Sequence, residues 1–347
     1  MRYLVTGGAG FIGSHLVEHL VGEGHQVVVL DDFSTGKREN LDGLRNKIEL
    51  IEDTVTGARA CARACRDVDF VLHQAALASV PRSLRDPVAT HHANVTGTLN
   101  VLLAAKQAGV RRVVYAASSS AYGNTTELPK HEGMVPRPLS PYAVSKLAGE
   151  HYCRALNASF GIETVALRYF NIFGPRQDPE SQYAAVVPKF IASAQSNEGP
   201  VIYGDGEQTR DFTFVANAVR ANMLACVATP AACGEVFNVG CGTRISVNEL
   251  WARIAALVEC TAQPHYVSAR AGDVRDSLAS LERSQRFLGY APAVTIDDGL
   301  RRSVEWYTVH RAVVEASAQP VAASLSSAHI DAPAPNDQQP TASLDRV

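Results

Sequence analysis

The 347-residue sequence has no CxxC pair and no grouping of its 11 histidines at metal-ligand spacing. It therefore offers no zinc framework and no metal site. Its seven cysteines, Cys61, Cys65, Cys153, Cys226, Cys233, Cys241 and Cys260, are odd in number and scattered, which reads as buried, reduced thiols. The formal net charge of -3 supplies no polybasic surface, so neither a nucleic acid nor an anionic membrane is expected as a partner. No apolar run approaches bilayer length, and Met1 leads directly into the strand-like Tyr3-Leu4-Val5 without a basic leader or cleavage site; the expected location is the cytoplasm. No internal repeat is present, which excludes solenoids and propellers. What remains is 46% hydrophobic and 19% charged, enough for a substantial core and, by length, about two domains.

From residue 2 to about residue 120, short apolar runs alternate with stretches of helical period. The runs Tyr3 to Thr6, Val27 to Leu30, Ile48 to Ile51, Phe70 to His73 and Val113 to Ala117 are candidate strands. Between the first two, Phe11, Ile12, Leu16, Val17, Leu20 and Val21 recur at helical spacing. Alternation of this kind predicts an α/β fold, with a doubly wound, Rossmann-type parallel sheet covered on both faces. Beyond Tyr142 a long helix to about Ser159 and a strand from Thr164 to Tyr169 follow. Then comes a loop-rich stretch containing Pro175, Pro179, Gly199, Gly204 and Gly206, which predicts a smaller C-terminal α/β domain for substrate. From about Val314 the composition turns to Ala, Ser, Pro, Gln and Asp without apolar period, too little burial to offset the entropy of ordering.

Directly after the first strand stands Thr6-Gly7-Gly8-Ala9-Gly10-Phe11-Ile12-Gly13, where the chain must turn and begin a helix. Gly7 and Gly10 carry no side chain to keep a pyrophosphate away, and the helix start offers free N–H groups and a partial positive charge. Glycines are also used simply for turn geometry. Here a strand precedes them, a helix follows and Asp31 closes the second strand, the full pattern of a dinucleotide site. The Asp31 carboxylate can bind both ribose hydroxyls and repels a 2'-phosphate, so NAD is expected over NADP. Asp32 can share that role or be a solvated loop acid. His15 and His19 have a zinc-like spacing but no third ligand, and read as ordinary helix residues. The resulting division is an NAD-binding domain over residues 1–170, a mainly substrate-binding part over 171–313 whose chain returns to the first, and a disordered tail over 314–347.

Tyr142-Ala143-Val144-Ser145-Lys146 places a phenol and an ammonium on one helix face. A free tyrosine, with a pKa near ~10, is a poor base at neutral pH, but a lysine cation and an oxidised nicotinamide both stabilise its phenolate. Ser118, Ser119 and Ser120 follow the strand Val113 to Ala117, at the carboxyl edge where open α/β sheets bind ligands. One of these hydroxyls can donate to the oxygen being deprotonated. Loop capping is the alternative for Ser119 and Ser120.

Taken together these motifs resemble the extended short-chain dehydrogenases, and within them the UDP-hexose 4-epimerases, particularly the UDP-N-acetylglucosamine 4-epimerases. The resemblance spans about residues 1 to 310 and rests on Gly7 to Gly13, His73-Gln74-Ala75-Ala76, Ser118 to Gly123, Tyr142 to Lys146, Arg168 to Asn171, Tyr203 to Gly206 and Arg210-Asp211-Phe212. It implies Ser118 as the catalytic hydroxyl, Tyr142 as the base and Lys146 at the nicotinamide ribose. It also implies that Gln74, Ala75 and Ala76 contact NAD and that Asp53 lies at the adenine, with Thr54 where a large aliphatic residue is usual. Asn171, Arg210 and Arg275 are implied at a nucleotide diphosphate, chemistry that suits cationic and amide donors; salt bridging is the alternative for each arginine.

The resemblance further places Ala78, Ser79, Ser119, Ser120, Asn171, Gln177, Ala185 and Ser277 around the hexose. Relatives restricted to non-acetylated sugars carry a tyrosine at the position of Ser277, and a serine leaves room for an acetamido group. Ala78 replaces a glycine of similar enzymes. The implied reaction is inversion at C4 of a UDP-hexose through a 4-keto sugar, with UDP-GlcNAc and UDP-GalNAc as the expected pair. UDP-glucose and UDP-glucuronate remain alternatives. Dehydratases of the family carry Asp-Glu, and decarboxylases a glutamate, where this chain has Ser119-Ser120. A catalytically idle NAD-sensing protein is the non-enzyme alternative, against which the intact Ser118, Tyr142 and Lys146 stand. A homodimer is implied through a four-helix bundle built from helices at about Val95 to Gln107 and Tyr142 to Ala158.

Overall fold

The short apolar runs become strands whose successive side chains enter different cores. Tyr3 and Val5 lie in one buried cluster while Leu4 lies in the other, and Val27 and Val29 oppose Val28 and Leu30 in the same way. Burial on both faces explains why these segments read as continuous hydrophobic runs. The computed structural model describes residues 1–179, 185–269 and 274–318, with side chains through residue 310. Residues 1–309 form one compact unit.

The first half of the chain runs β1 (Arg2–Thr6), α1 (Phe11–Gly22), β2 (Gln26–Asp31), β3 (Ile48–Glu52), α2 (Ala58–Ala64), β4 (Phe70–His73), α3 (Val80–Arg85), α4 (Pro87–His91), α5 (Gly97–Ala108), β5 (Arg112–Ser118), α6 (Pro141–Phe160) and β6 (Glu163–Tyr169). Then follow β7 (Ile172–Phe173), α7 (Val186–Gln195), β8 (Val201–Tyr203), β9 (Thr209–Arg210), β10 (Thr213–Phe214), α8 (Val215–Val227), β11 (Glu235–Val239), β12 (Ile245–Ser246), α9 (Val247–Leu257), β13 (His265–Val267), α10 (Glu282–Leu288) and α11 (Ile296–Ala318). The main sheet is parallel with strand order β11-β6-β5-β4-β1-β2-β3. Its winding reverses between β1 and β4, which opens a crevice at their carboxyl ends. This is the doubly wound Rossmann-type architecture expected from the sequence.

Helix α6, which carries Tyr142 and Lys146, is bounded by local chemistry. The Ser140 side chain accepts the Ala143 N–H, Pro141 opens the first turn, and Gly161 ends the helix at φ 71°, a conformation that favours glycine. The helix expected from Val95 has a different start: His92–Thr96 forms a π-helical turn that leads into α5. A third buried cluster joins Phe173, Val187, Phe190, Leu250, Trp251 and Leu300 and builds the C-terminal part. From that part β11 returns to pair with β6. Helix α11 continues to Ala318, so residues 314–318 of the expected tail are helical, and 319–347 lie outside the described residues. Among the described residues no helix is long and apolar enough to cross a membrane.

Candidate active site

The glycine turn after β1 divides its labour. Gly7 has φ 67°, and a Cβ there would stand 2.7 Å from the Ala75 nitrogen. One at Gly13 would stand 2.0 Å from the Gly7 carbonyl oxygen. These two glycines let α1 and the end of β4 pack against the turn, and both also line the cavity. Gly10 lies between them. It lines the cavity with Phe11 and Ile12, and it begins α1 without any side-chain cap. The first-turn N–H groups of a helix have no intrahelical acceptor, so this end is a seat for an anion.

At the end of β2 the buried Asp31 accepts the Ala9 N–H through Oδ2 and the Phe33 N–H through Oδ1, each at 2.8 Å. Burial raises its pKa despite these bonds. Asp32 is exposed, with Oδ1 accepting the Ser34 N–H at 2.9 Å, so Asp31 is the acid built into the wall. Asp53 accepts the Thr54 N–H at 2.8 Å and pairs with Arg63 at 3.2 Å. Gln74 donates to Asn222 at 3.2 Å and accepts from the Tyr169 hydroxyl at 3.3 Å. Gly7, Gly10, Phe11, Ile12, Gly13, Asp31, Asp32, Asp53, Thr54, Gln74, Ala75 and Ala76 all line one cavity of about 410 Å³. An uncapped helix start at one point of that cavity and a buried acid at the end of the neighbouring strand fit the pyrophosphate and adenosine ribose of NAD.

Tyr142 and Lys146, in the first two turns of α6, line the same cavity. Ser118, the last residue of β5, accepts the Ser120 N–H at 3.2 Å and the Ser120 hydroxyl at 2.8 Å, and it stands near enough to the Tyr142 phenol to oppose the effect of burial there. The capping hydroxyl of the turn is that of Ser118, while Ser119 and Ser120 form the turn itself. Burial raises the Tyr142 pKa and Ser118 opposes the rise. The lysine Nζ donates to the Ala116 carbonyl at 2.8 Å, and burial lowers its own pKa to about 8, with Glu150 opposing.

Asn94, buried in the π-helical turn, escaped the sequence reading. Its Oδ1 accepts the Leu77 N–H at 2.8 Å and its Nδ2 donates to Ser145 Oγ at 2.9 Å; Ser145 in turn donates to the Tyr142 carbonyl at 2.8 Å. The strip after β4 and the catalytic helix are thus tied through one amide. Its signal in the sequence is a lone asparagine among small and apolar neighbours, legible only once the π turn is known.

Ala78, Ser79, Gln177 and Ala185 also line the cavity. Ser79 caps α3, accepting the Arg82 N–H at 3.1 Å, which leaves its proton for a ligand. Gln177 donates to the Ile172 carbonyl at 3.0 Å, while its buried Oε1 has no partner among the described residues. Asn171, Arg210, Arg275 and Ser277 gather on an adjoining ledge outside that lining. Arg210 donates to the Arg275 carbonyl at 3.1 Å, the Ser277 N–H to the Thr209 carbonyl at 3.1 Å, and Asn171 to the Asp211 carbonyl at 3.0 Å. Arg275 is engaged in a two-point ion pair with Asp205 at 2.9 and 3.1 Å, the salt-bridge alternative weighed for it. Asp211 beneath this ledge accepts the N–H groups of Cys241, Gly242 and Ala279, and burial lifts its pKa to about 6.

Residues 3–240 match the model of the NAD dependent epimerase/dehydratase family. The UDP-glucose 4-epimerase of Mycolicibacterium smegmatis is 38% identical over 315 residues, 88% of this chain and 98% of that protein. A solved structure of UDP-N-acetylglucosamine 4-epimerase from Methanobrevibacter ruminantium, in complex with UDP-N-acetylmuramic acid, superposes with a TM-score of 0.85 at 37% identity, covering 89% of this chain and 98% of that one. The UDP-glucose 4-epimerase of Thermus thermophilus, solved with NAD, gives a TM-score of 0.81 at 36% identity over 89% of this chain and 99% of that one. With its glycine turn, Asp31, Tyr142 and Lys146 on one cavity, the chain belongs to the NAD dependent epimerase/dehydratase family and is an enzyme whose cofactor is NAD.

Proposed function

We propose that this enzyme interconverts UDP-GlcNAc and UDP-GalNAc by inverting C4 of the sugar. The observation that carries this reading is that Tyr142 and Lys146 line the same cavity as the cofactor cradle. The Tyr142 phenolate takes the 4-hydroxyl proton and later returns it to the opposite face of the sugar. Ser118 donates to the oxygen losing its proton, and Lys146, fixed on the Ala116 carbonyl, holds the nicotinamide ribose and the Tyr142 side of the site. NAD, when held by the glycine turn, Asp31 and Lys146, would supply the acceptor and donor of the C4 hydride, and its cationic ring would favour ionisation of the buried phenol. Asn171, Arg210 and Arg275 anchor the diphosphate while the 4-keto sugar turns over, with Arg275 exchanging or sharing Asp205.

Ser277, Ala78, Ser79 and Ala185 are small and leave space for an acetamido group, and the unpartnered Gln177 oxygen accepts from a sugar hydroxyl or the acetamido N–H. Ser119 and Ser120 put no carboxyl beside the keto sugar, so neither elimination nor decarboxylation has its acid or base. The reading includes a homodimer, in which the exposed Leu103 of α5 and Val144 of α6 enter a bundle of two helices from each copy.

The test is to incubate the purified enzyme separately with UDP-GlcNAc, UDP-glucose and UDP-glucuronate and to resolve the products. Conversion of UDP-GlcNAc to UDP-GalNAc with the highest kcat/KM is the expected outcome. Preferential conversion of UDP-glucose or UDP-glucuronate would overturn the N-acetyl assignment.

A further inference from the structure

The segment after β7 is fastened both to α1 and to Lys37 of the stretch after β2. On the α1 side, His15 Nε2 lies 3.1 Å from the Pro175 carbonyl oxygen. A carbonyl only accepts, so Nε2 carries the hydrogen. Burial and, after it, the nearby Arg176 charge lower the His15 pKa to about 4; the ring is neutral and the bond holds at physiological pH. Arg176 Nη2 pairs with Glu18 of α1 at 2.7 Å. On the other side Lys37, whose N–H donates to the Ala9 carbonyl at 3.0 Å, places Nζ 3.2 Å from Asp178 Oδ2. Lys37, Arg176 and Asp178 all line the cavity together with Gly10, Phe11 and Ile12.

Two properties of Arg176 point to a ligand. Its backbone is held at φ 68°, a conformation a non-glycine residue keeps only where its surroundings enforce it. Its Nη1 is buried and has no hydrogen-bond partner among the described residues, although burying a guanidinium donor unmet is costly. The guanidinium stands alongside α1, whose uncapped start is the anion seat. Glu18 occupies Nη2 and leaves Nη1 free for a second anion.

We infer that Arg176 donates through Nη1 to the diphosphate of NAD, and that the Lys37–Asp178 ion pair latches the segment Gly174–Asp178 over the bound cofactor as a strap. The helix start supplies neutral N–H donors and a partial charge, and Arg176 adds a full cation with directed donors. The latch slows release, so the nucleotide stays in place between the two half-reactions. Lys37 also lies 3.8 Å from Glu39, and both partners of the latch are partly exposed, so salt weakens it. This inference rests on NAD being the cofactor and is independent of which UDP-sugar is turned over.

The test measures NAD rather than turnover. On protein freed of NAD, calorimetry gives the dissociation constant for wild type, R176Q and E18Q; exchange of bound NAD for radiolabelled NAD gives the release rate for wild type and D178N. R176Q is expected to raise the dissociation constant about tenfold or more, and E18Q to change it less than about threefold, because a glutamine oxygen still accepts from Nη2. D178N is expected to speed release severalfold, with the difference from wild type shrinking as salt is raised. If R176Q does not fold, R176K carries the test with a smaller loss in the same direction. Wild-type affinity in R176Q or R176K, or an equal loss in E18Q, would overturn the diphosphate contact and make Arg176 a strut for α1. Unchanged release in D178N would overturn the latch.

Discussion

Replacing Tyr142 by phenylalanine is expected to lower kcat for UDP-GlcNAc by about a hundred- to ten-thousand-fold while leaving NAD binding intact. General acid–base groups contribute on that scale, and the substitution removes only the phenolic oxygen. Steady-state rates together with calorimetric NAD binding separate the two effects. A variant that converts UDP-GlcNAc at near wild-type rate would show that another group takes the hydroxyl proton. A variant that loses NAD as well would show that the ring is held by its hydroxyl. The position of Tyr142 on the cavity, with Ser118 opposing the effect of burial at its phenol, makes loss of turnover with NAD retained the expected outcome.

Ser277→Tyr is expected to reverse the choice of sugar. Ser277 is buried, with its N–H on the Thr209 carbonyl at 3.1 Å, so a tyrosine ring there has to extend into the space assigned to the acetamido group. Overpacking of this kind costs roughly 1–3 kcal/mol, which corresponds to a loss of about five- to a hundred-and-fifty-fold in kcat/KM for UDP-GlcNAc. UDP-glucose, lacking the acetamido group, should keep most of its kcat/KM, and that retained activity also reports that the variant folds. Equal losses for both sugars would mean that the substitution damages the ledge rather than the sugar wall. No loss for either would remove Ser277 from the wall.

The cofactor half of the site is legible in the sequence because its chemistry is local. Gly7 to Gly13 lie on one turn, and Asp31 closes the strand that pairs with β1. Buried strands announce themselves as apolar runs, and α6 announces itself through Ser140, Pro141 and Gly161. Even there, the packing task of two glycines depends on distances no spacing reveals: Gly7 and Gly13 line the cavity with Gly10 and also admit the close approach of neighbouring backbone. Tyr142 and Lys146 are readable as a helical pair, whereas Ser118, which opposes the effect of burial at the phenol, is delivered by another strand.

What stays hidden in the sequence is held by contacts between remote segments. Asn94 reaches both Leu77 and Ser145 because a π turn rotates it inward, and no residue pattern marks that turn. Arg176 meets Glu18, and Asp178 meets Lys37, only after β7 has carried the segment back to α1. Arg275 shows the converse: its assignment to a diphosphate came from resemblance, and in the folded chain its guanidinium is engaged by Asp205.

The most direct test of a reversible oxidation at C4 uses UDP-GlcNAc carrying deuterium at that carbon. Hydrogen taken and returned within one closed site predicts UDP-GalNAc with the deuterium still at C4 and no exchange with solvent. Product in which C4 has acquired solvent hydrogen, or in which C4 keeps its original configuration, would contradict it.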